Sequence, residues 1–341
     1  MELIKRIKEF TKKSFPYLFV SYQQLRFRLN LIRDKSKYHY THHDFKKLED
    51  LKDPFFIVLI PGSLHIFEIC LRFIPPSVNI VLVLNGLDQW ERDYLSTKYI
   101  YPSISIREMT KHGKVLDLIF DNYQKPFGII DYDCFVIDIS LFERIKNIPN
   151  QSLMNAIFLY HDEVSHLDIP RTFFLFLNTP LIDEIRKRYH LTADSCVFQE
   201  LSQEAKKQIS KLGMNAQIKL MNNLTNFDTL HAILSLGFSK GLNVNFIERL
   251  DHETVSIDEV IHIGGISKPN EIHSMYSLRG ALFWRKSLEA NPSNELRQHY
   301  YELFGEKSSE ELIKEHPERF KRISEEFLNA ADHLIRYSCE L

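Results

Sequence analysis

The sequence predicts an α/β protein: a mixed, mostly parallel sheet flanked by helices, with helical extensions at the N- and C-termini of the 341 residues. Three observations carry that expectation. Short β-branched and aromatic runs recur, they are continuous rather than alternating, and stretches of helical periodicity separate them. Continuous apolar strands are those buried on both faces, and their alternation with helices marks a parallel sheet.

Residues 1–50 form a first segment, with about twice as many Lys and Arg as Asp and Glu, interleaved with aromatic residues. Leu3, Ile4, Ile7 and Phe10 share one face of a predicted helix bordered by Lys5, Lys8, Lys12 and Lys13. Such a helix either lies on an anionic membrane surface, through residues 1–37, or packs on the body of the protein. From Pro54 the period changes. Phe55-Phe56-Ile57-Val58-Leu59-Ile60 predicts a strand ended by Pro61-Gly62, residues 65–73 a helix stopped by Pro75-Pro76, and Asn79 through Leu84 a second strand ending at Asn85-Gly86. A helix over 87–99, a short strand over 103–107, a helix over 114–122 and the strand Phe127-Gly128-Ile129-Ile130 follow. The middle of the chain offers an apolar run over 171–177 and predicted helices over 194–213 and 227–241. After Ser267 the chain is polar and helical, with a capping-box signature at Ser308-x-x-Glu311 and a simpler cap at Ser324-x-x-Phe327. Three regions result: 1–50, a catalytic domain over 51–267, and a helical extension over 268–341.

Composition removes several functions. A 44% hydrophobic and 26% charged chain is a folded one. A net charge of -2 gives no global field for nucleic acid. The four cysteines are too far apart for a C-x-x-C pair, and no apolar run approaches the ~18 residues of a membrane span, so a reduced cytoplasmic protein is expected, peripheral on a membrane's inner face if the first helix binds there. Only 11 residues are glycine, and neither G-x-G-x-x-G nor G-x-x-x-x-G-K-[ST] occurs, so glycine-rich phosphate loops are absent. The few glycines present, among them Gly62, Gly86, Gly113, Gly128, Gly264 and Gly265, are expected where backbone passes close to a ligand.

The chemistry centres on Asp131-Tyr132-Asp133, at the end of an apolar strand. Two carboxylates spaced i, i+2 can approach one hard cation in the turn that follows, leaving positions open for phosphate oxygens. Upstream, His112-Gly113-Lys114 opens a helix, where a lysine beside free N–H groups favours an anion, or simply starts the helix. Downstream, His262-x-Gly264-Gly265 follows an apolar pair, and imidazole suits Mn²⁺ better than Mg²⁺. His161-x-Glu163-x-x-His166 has the wrong spacing for a zinc hydrolase helix.

In this order, over residues 54–267, the motifs resemble those of bacterial GT-A glycosyltransferases. The resemblance implies a Rossmann-like domain that binds a nucleotide-diphosphate sugar through a divalent metal, Mn²⁺ or Mg²⁺. By it Asp133 is the direct metal ligand, Asp131 a ribose or metal partner, and His262 the third ligand. Pro61, Gly62 and Ser63 would line the base and ribose with Asn85 nearby. Lys114 would face the diphosphate, with His112, Tyr132, Gly264 and Gly265 also at the donor site. The acceptor would be a hydroxyl of a glycan, a lipid-linked sugar or a protein. An inverting reaction needs a carboxylate to take the acceptor's proton, and Asp162 or Glu163 is the choice. Two alternatives remain: a sugar-phosphate nucleotidyltransferase, whose glycine-rich basic loop is missing after the first strand, and a binding or scaffold protein of the same fold.

Overall fold

The computed structural model describes residues 42–162, 167–212, 226–251 and 259–339. The basic helix expected near the N-terminus and Glu163 lie outside the described residues, and Asp162 is described by its backbone alone.

Strands β1 (Phe55–Leu59), β2 (Ile80–Asn85), β3 (Ser103–Ile106) and β4 (Phe127–Ile130) are parallel neighbours in the order β3-β2-β1-β4. The helices between them are α1 (Leu64–Leu71), α2 (Gln89–Lys98) and α3 (His112–Asn122). Every β1 residue is buried, and its side chains divide by parity. Phe55, Ile57 and Leu59 enter one core with α1 and α2, whereas Phe56 and Val58 enter the other with α3. That is the period-2 geometry of a strand covered on both faces, each buried large side chain contributing about 1.5–3 kcal/mol of transfer free energy. Because β2 and β3 lie on one side of β1 and β4 on the other, the strand order reverses between β1 and β4. Ligands of open α/β sheets bind at the carboxyl ends of strands flanking such a switch point.

Beyond β4 run β5 (Cys134–Val136), β6 (Ser152–Asp162), β7 (Leu167–Pro170) and β8 (Phe174–Leu177), and β11 (Asn243–Asp251) pairs with β6. The eight-stranded sheet reads β11-β6-β8-β4-β1-β2-β3, with β7 also on β6. Strands β8 and β7 run against the rest, so the sheet is mixed and mostly parallel, as predicted. Helix α4 (Thr179–Tyr189) carries buried Arg186, which bonds Asp117, Asp121 and Asp183 and ties α4 to α3.

The predicted helix over 194–213 is corrected. Its first part pairs as β9 (Cys196–Val197) with β10 (Asn226–Phe227), and a helix α5 (Gln203–Ser210) begins only where Ser202 Oγ accepts from the Ala205 amide. Helix α6 (His231–Ser239) lies inside its expected range. Strands β6 and β11 were not foreseen, since Asn155 and a polar end interrupt the apolar run of β6, and β11 is a half-exposed outer strand.

Helices α7 (Met275–Ala290), α8 (Asn294–Phe304), α9 (Ser309–Glu315) and α10 (Glu325–Cys339) share the core of α1 and β5: Leu278, Phe283, Trp284 and Leu334 pack with Phe67 and Phe135. Both expected caps form, with Ser308 and Glu311 bonding reciprocally and Ser324 Oγ accepting from Phe327 N. Among the described residues no helix is long and apolar enough to cross a membrane.

Candidate metal centre

Strand β4 delivers Asp131 to the switch point, where its amide donates to the Phe173 carbonyl at 2.8 Å and its carbonyl accepts from Cys134 N at 2.9 Å. The four residues 131–134 thus make a turn, and β5 leaves it to pair antiparallel with β12 (Val260–His262). Register does the rest. His262 stands opposite Cys134, and Ile263 N donates to Asp133 O at 3.1 Å, so a residue 129 positions later in the chain is placed beside the D-x-D. Ligand atoms of Asp131, Asp133 and His262 all lie within 4.8 Å of one another. His262 Nε2 is 3.6 Å from Asp133 Oδ1, its ring stacks on Phe173 at 3.5 Å, and its Nδ1 is shut from solvent without a hydrogen-bond partner.

The electrostatics of this cluster are unfavourable as it stands. Burial first, and then the charge of Asp133, push the Asp131 carboxyl well above the usual carboxylate range. The buried Tyr132 phenol is raised by burial and by both carboxylates. Cys70, on α1, donates its thiol to the Cys134 carbonyl at 3.3 Å and braces the turn from beneath. Two crowded carboxylates, an imidazole and an orphaned ring nitrogen are a donor set that a divalent cation suits, since the ion's charge inverts the local repulsion. Opposite ligands at 2.0–2.1 Å from an ion stand about 4 Å apart, so the set needs only slight contraction.

The other predicted residues occupy the same sheet edge but are not all free for a ligand. Pro61 is half-buried, whereas Gly62 and Ser63 are buried. Gly62, at φ 84°, donates its amide to Glu91 and accepts at its carbonyl from Trp284 Nε1, and an added Cβ would meet the Phe304 ring at 2.8 Å. Ser63 Oγ accepts from Ile60 N. Asn85, two strands from β4, clamps the backbone of Thr110 through both ends of its amide. His112 opens α3, its imidazole lowered to about 4 by burial, and Lys114 lies partly buried in the first turn. Gly264 and Gly265 lie under helix α7: an added Cβ on Gly264 would meet the Tyr276 hydroxyl at 1.9 Å, and one on Gly265 the Tyr276 carbonyl at 2.4 Å.

The glycines also have a packing reason. Gly86 meets Met109 backbone, Gly113 meets Asp194 backbone, and Gly128 faces the ring of Phe55, its register partner. At these positions a side chain would meet other parts of the protein. Asp162 ends β6 on the same edge, and Asp168 is taken by His161 and Arg249. Sequence reasoning missed Phe173, which stacks on His262; Tyr276, whose phenol is raised by burial and then by Asp133 and Asp131; and Arg171. The only signal for Tyr276 was the pair Gly264-Gly265 with Gly280, small residues that let α7 approach: a Cβ on Gly280 would meet Gly264 O at 2.4 Å.

Comparison with known proteins points to the class that the motifs resemble. Residues 32–182, under half of the chain, match the StrH glycosyltransferase N-terminal domain family. A dTDP-dihydrostreptose–streptidine-6-phosphate dihydrostreptosyltransferase of Streptomyces griseus is 31% identical over 120 residues, covering 33% of this chain and 31% of that protein. The chain thus spans under a third of the length of the curated relative it matches. Among solved structures, the glycosyltransferase GlyE of Streptococcus pneumoniae TIGR4 covers 74% of this chain and 64% of its own at 11% identity and a TM-score of 0.39. A 4-diphosphocytidyl-2C-methyl-D-erythritol synthase covers 39% of this chain and 79% of its own, with 10% identity and a TM-score of 0.28.

Proposed function

We propose that this protein is a glycosyltransferase that takes a sugar from a nucleotide-diphosphate donor and passes it to a hydroxyl acceptor, with a divalent metal held by Asp131, Asp133 and His262. The single observation that supports it is the convergence of two carboxylates and an imidazole at the switch point, within a chain whose first half is similar to a glycosyltransferase domain. The imidazole favours Mn²⁺ over Mg²⁺. When bound, the metal supplies Lewis-acid stabilisation of the departing nucleoside diphosphate.

The chain's own residues have separable tasks. Asp133 and His262, both buried, fix the position of the charge, and Asp131 keeps some exposure towards the donor. Phe173 orients the imidazole by stacking and holds Asp131 through its carbonyl. Tyr276 closes the side of the site formed by Gly264 and Gly265 and excludes water. Lys114, at the start of α3, serves the donor's phosphates, and Asp162 or Glu163 takes the acceptor's proton if the reaction inverts.

The test is a thermal-shift screen of nucleotide sugars with and without Mn²⁺, starting with dTDP-linked donors because the Streptomyces griseus relative is named for one. A donor at 100 times its Kd stabilises the folded state by about 2.7 kcal/mol. Mn²⁺-dependent stabilisation followed by release of nucleoside diphosphate supports the proposal. Release of pyrophosphate would instead mean nucleotidyl transfer, and a flat response to every donor would leave a binding or scaffold role.

A further inference from the structure

We infer that Arg171 forms a phosphate-oxygen subsite beside the Asp131, Asp133 and His262 cluster. The inference deepens the proposed function and rests on it only for where the phosphate comes from. Arg171 occupies the gap between β7 and β8, which follow one another along β6, and its amide donates to Phe158 O at 2.9 Å. Two residues on, Phe173 stacks on His262 and accepts from the Asp131 amide. The backbone that carries Arg171 is therefore the same short segment that frames the cluster.

The side chain has an unusual environment for a guanidinium. It is partly buried, it sits 4.2 Å over the Tyr160 ring, and its Nε is shut from solvent with no hydrogen-bond partner. Among the described residues no carboxylate pairs with it, for Asp168 is engaged by Arg249 and His161. The Tyr276 phenol, raised by burial and by the Asp133 and Asp131 carboxylates, is lowered by the Arg171 guanidinium, so the cation and the cluster act on one phenol. A partly desolvated cation without an anionic partner is costly and is kept where an anion arrives. The planar fork of arginine matches phosphate oxygens in pairs, which a lysine does not. Both a donor diphosphate and a phosphate group on the acceptor present those oxygens.

Isothermal titration of the full chain, and of Arg171→Met and Arg171→Lys, with Mn²⁺ alone, inorganic phosphate, and pyrophosphate with and without Mn²⁺, tests the subsite. Arg171→Met is expected to weaken pyrophosphate binding by about tenfold or more while Mn²⁺ affinity stays within about twofold, the loss a charged hydrogen-bonding pair carries. Arg171-dependent binding strengthened by Mn²⁺ assigns the subsite to the donor diphosphate. Arg171-dependent binding of phosphate indifferent to Mn²⁺ assigns it to a phosphorylated acceptor, and if the wild type takes up no Mn²⁺ it is the metal reading that falls while the subsite stands. Pyrophosphate affinity unchanged in Arg171→Met, or no binding of either anion by the wild type, overturns the inference. Should Arg171→Met also lose Mn²⁺, the lysine variant decides: weaker pyrophosphate binding with intact Mn²⁺ affinity supports the fork, and equal binding overturns it.

Discussion

Two turns flank the switch point, residues 61–63 after β1 and residues 131–134 after β4, and they treat their polar groups in opposite ways. In the first, the Gly62 amide donates to Glu91 at 2.9 Å, its carbonyl accepts from Trp284 Nε1 at 2.8 Å, and Ser63 Oγ accepts from Ile60 N. Tyr300 completes the set, donating to Glu91 and accepting from Leu64 N. In the second, two carboxylates crowd one another and His262 Nδ1 has no partner. Native interiors satisfy most of their polar groups, so a turn whose carboxylate, amide and hydroxyl groups are paired reads as scaffold, and one where two carboxylates crowd beside an unpaired imidazole nitrogen reads as a place for something else to complete. On that contrast, the β1 turn is a strut that C-terminal helices lock in place, and the β4 turn is the one proposed to hold the metal.

The largest effect expected comes from breaking the second turn. Asp133→Asn removes one carboxylate and leaves the shape nearly unchanged, and transferase activity should fall about 10³-fold, equivalent to about 4 kcal/mol of barrier. Stability should hold or rise slightly, because Asp131 loses the like charge beside it. Steady-state rates at saturating Mn²⁺ together with a melting curve check both halves. A variant that melts far below the wild type would make Asp133 part of the scaffold and erase the contrast.

Breaking the first turn should give the reverse pattern. Glu91 is fully buried and receives three donors, from Gly62, Tyr300 and Asp88. Glu91→Ala leaves them without an acceptor in a dry interior, at a cost of about 3 kcal/mol. Denaturant unfolding measures it. Metal affinity of the fraction still folded should stay close to that of the wild type, since the D-x-D turn is braced by Cys70 and Phe173 rather than by Glu91.

The two turns were unequally legible in the sequence. Asp131 and Asp133 could be found because a strand ending in paired carboxylates is a local pattern, and His262 because it stood beside glycines after an apolar pair. What joins them is the β5–β12 register, a pairing of segments over 120 residues apart that no spacing encodes. Pro61-Gly62-Ser63 was legible as a turn but not as a filled one. The groups that fill it, Glu91, Trp284 and Tyr300, come from α2, α7 and α8, and a sequence does not state which buried polar atoms meet. Strands β1, β2 and β4 were read closely because each is a continuous apolar run, and β3 is a short alternation of serine and isoleucine. β6 was missed although it is the longest of the described strands, because Asn155 and a polar end interrupt its apolar run, and β11 because it is half exposed.

Acid sharpens the comparison in the scaffold half, with the smallest effect of the three. His65 follows the β1 turn on α1, is buried between Trp284 and Tyr300, and donates Nε2–H to the Trp284 carbonyl at 3.0 Å. Burial lowers its pKa to about 3. A histidine depressed in the folded state contributes stability that is present above its unfolded value near 6.5, and that is lost as pH falls towards the folded value, because only the unfolded chain takes up the proton in that window. Between pH 7 and pH 5 the loss from this residue is about 2 kcal/mol. Glu91, raised chiefly by burial, acts in the opposite sense, so acidification restores part of what its ionisation costs. The contribution of His65 is therefore isolated by comparing the wild type with His65→Gln, which keeps a donor for Trp284 but does not titrate. The difference in unfolding free energy between the two should shrink by about 2 kcal/mol over that range. A constant difference would mean that His65 is as accessible to protons in the folded protein as in the unfolded chain, and that the strut beside the β4 turn is wetter than its hydrogen bonds imply.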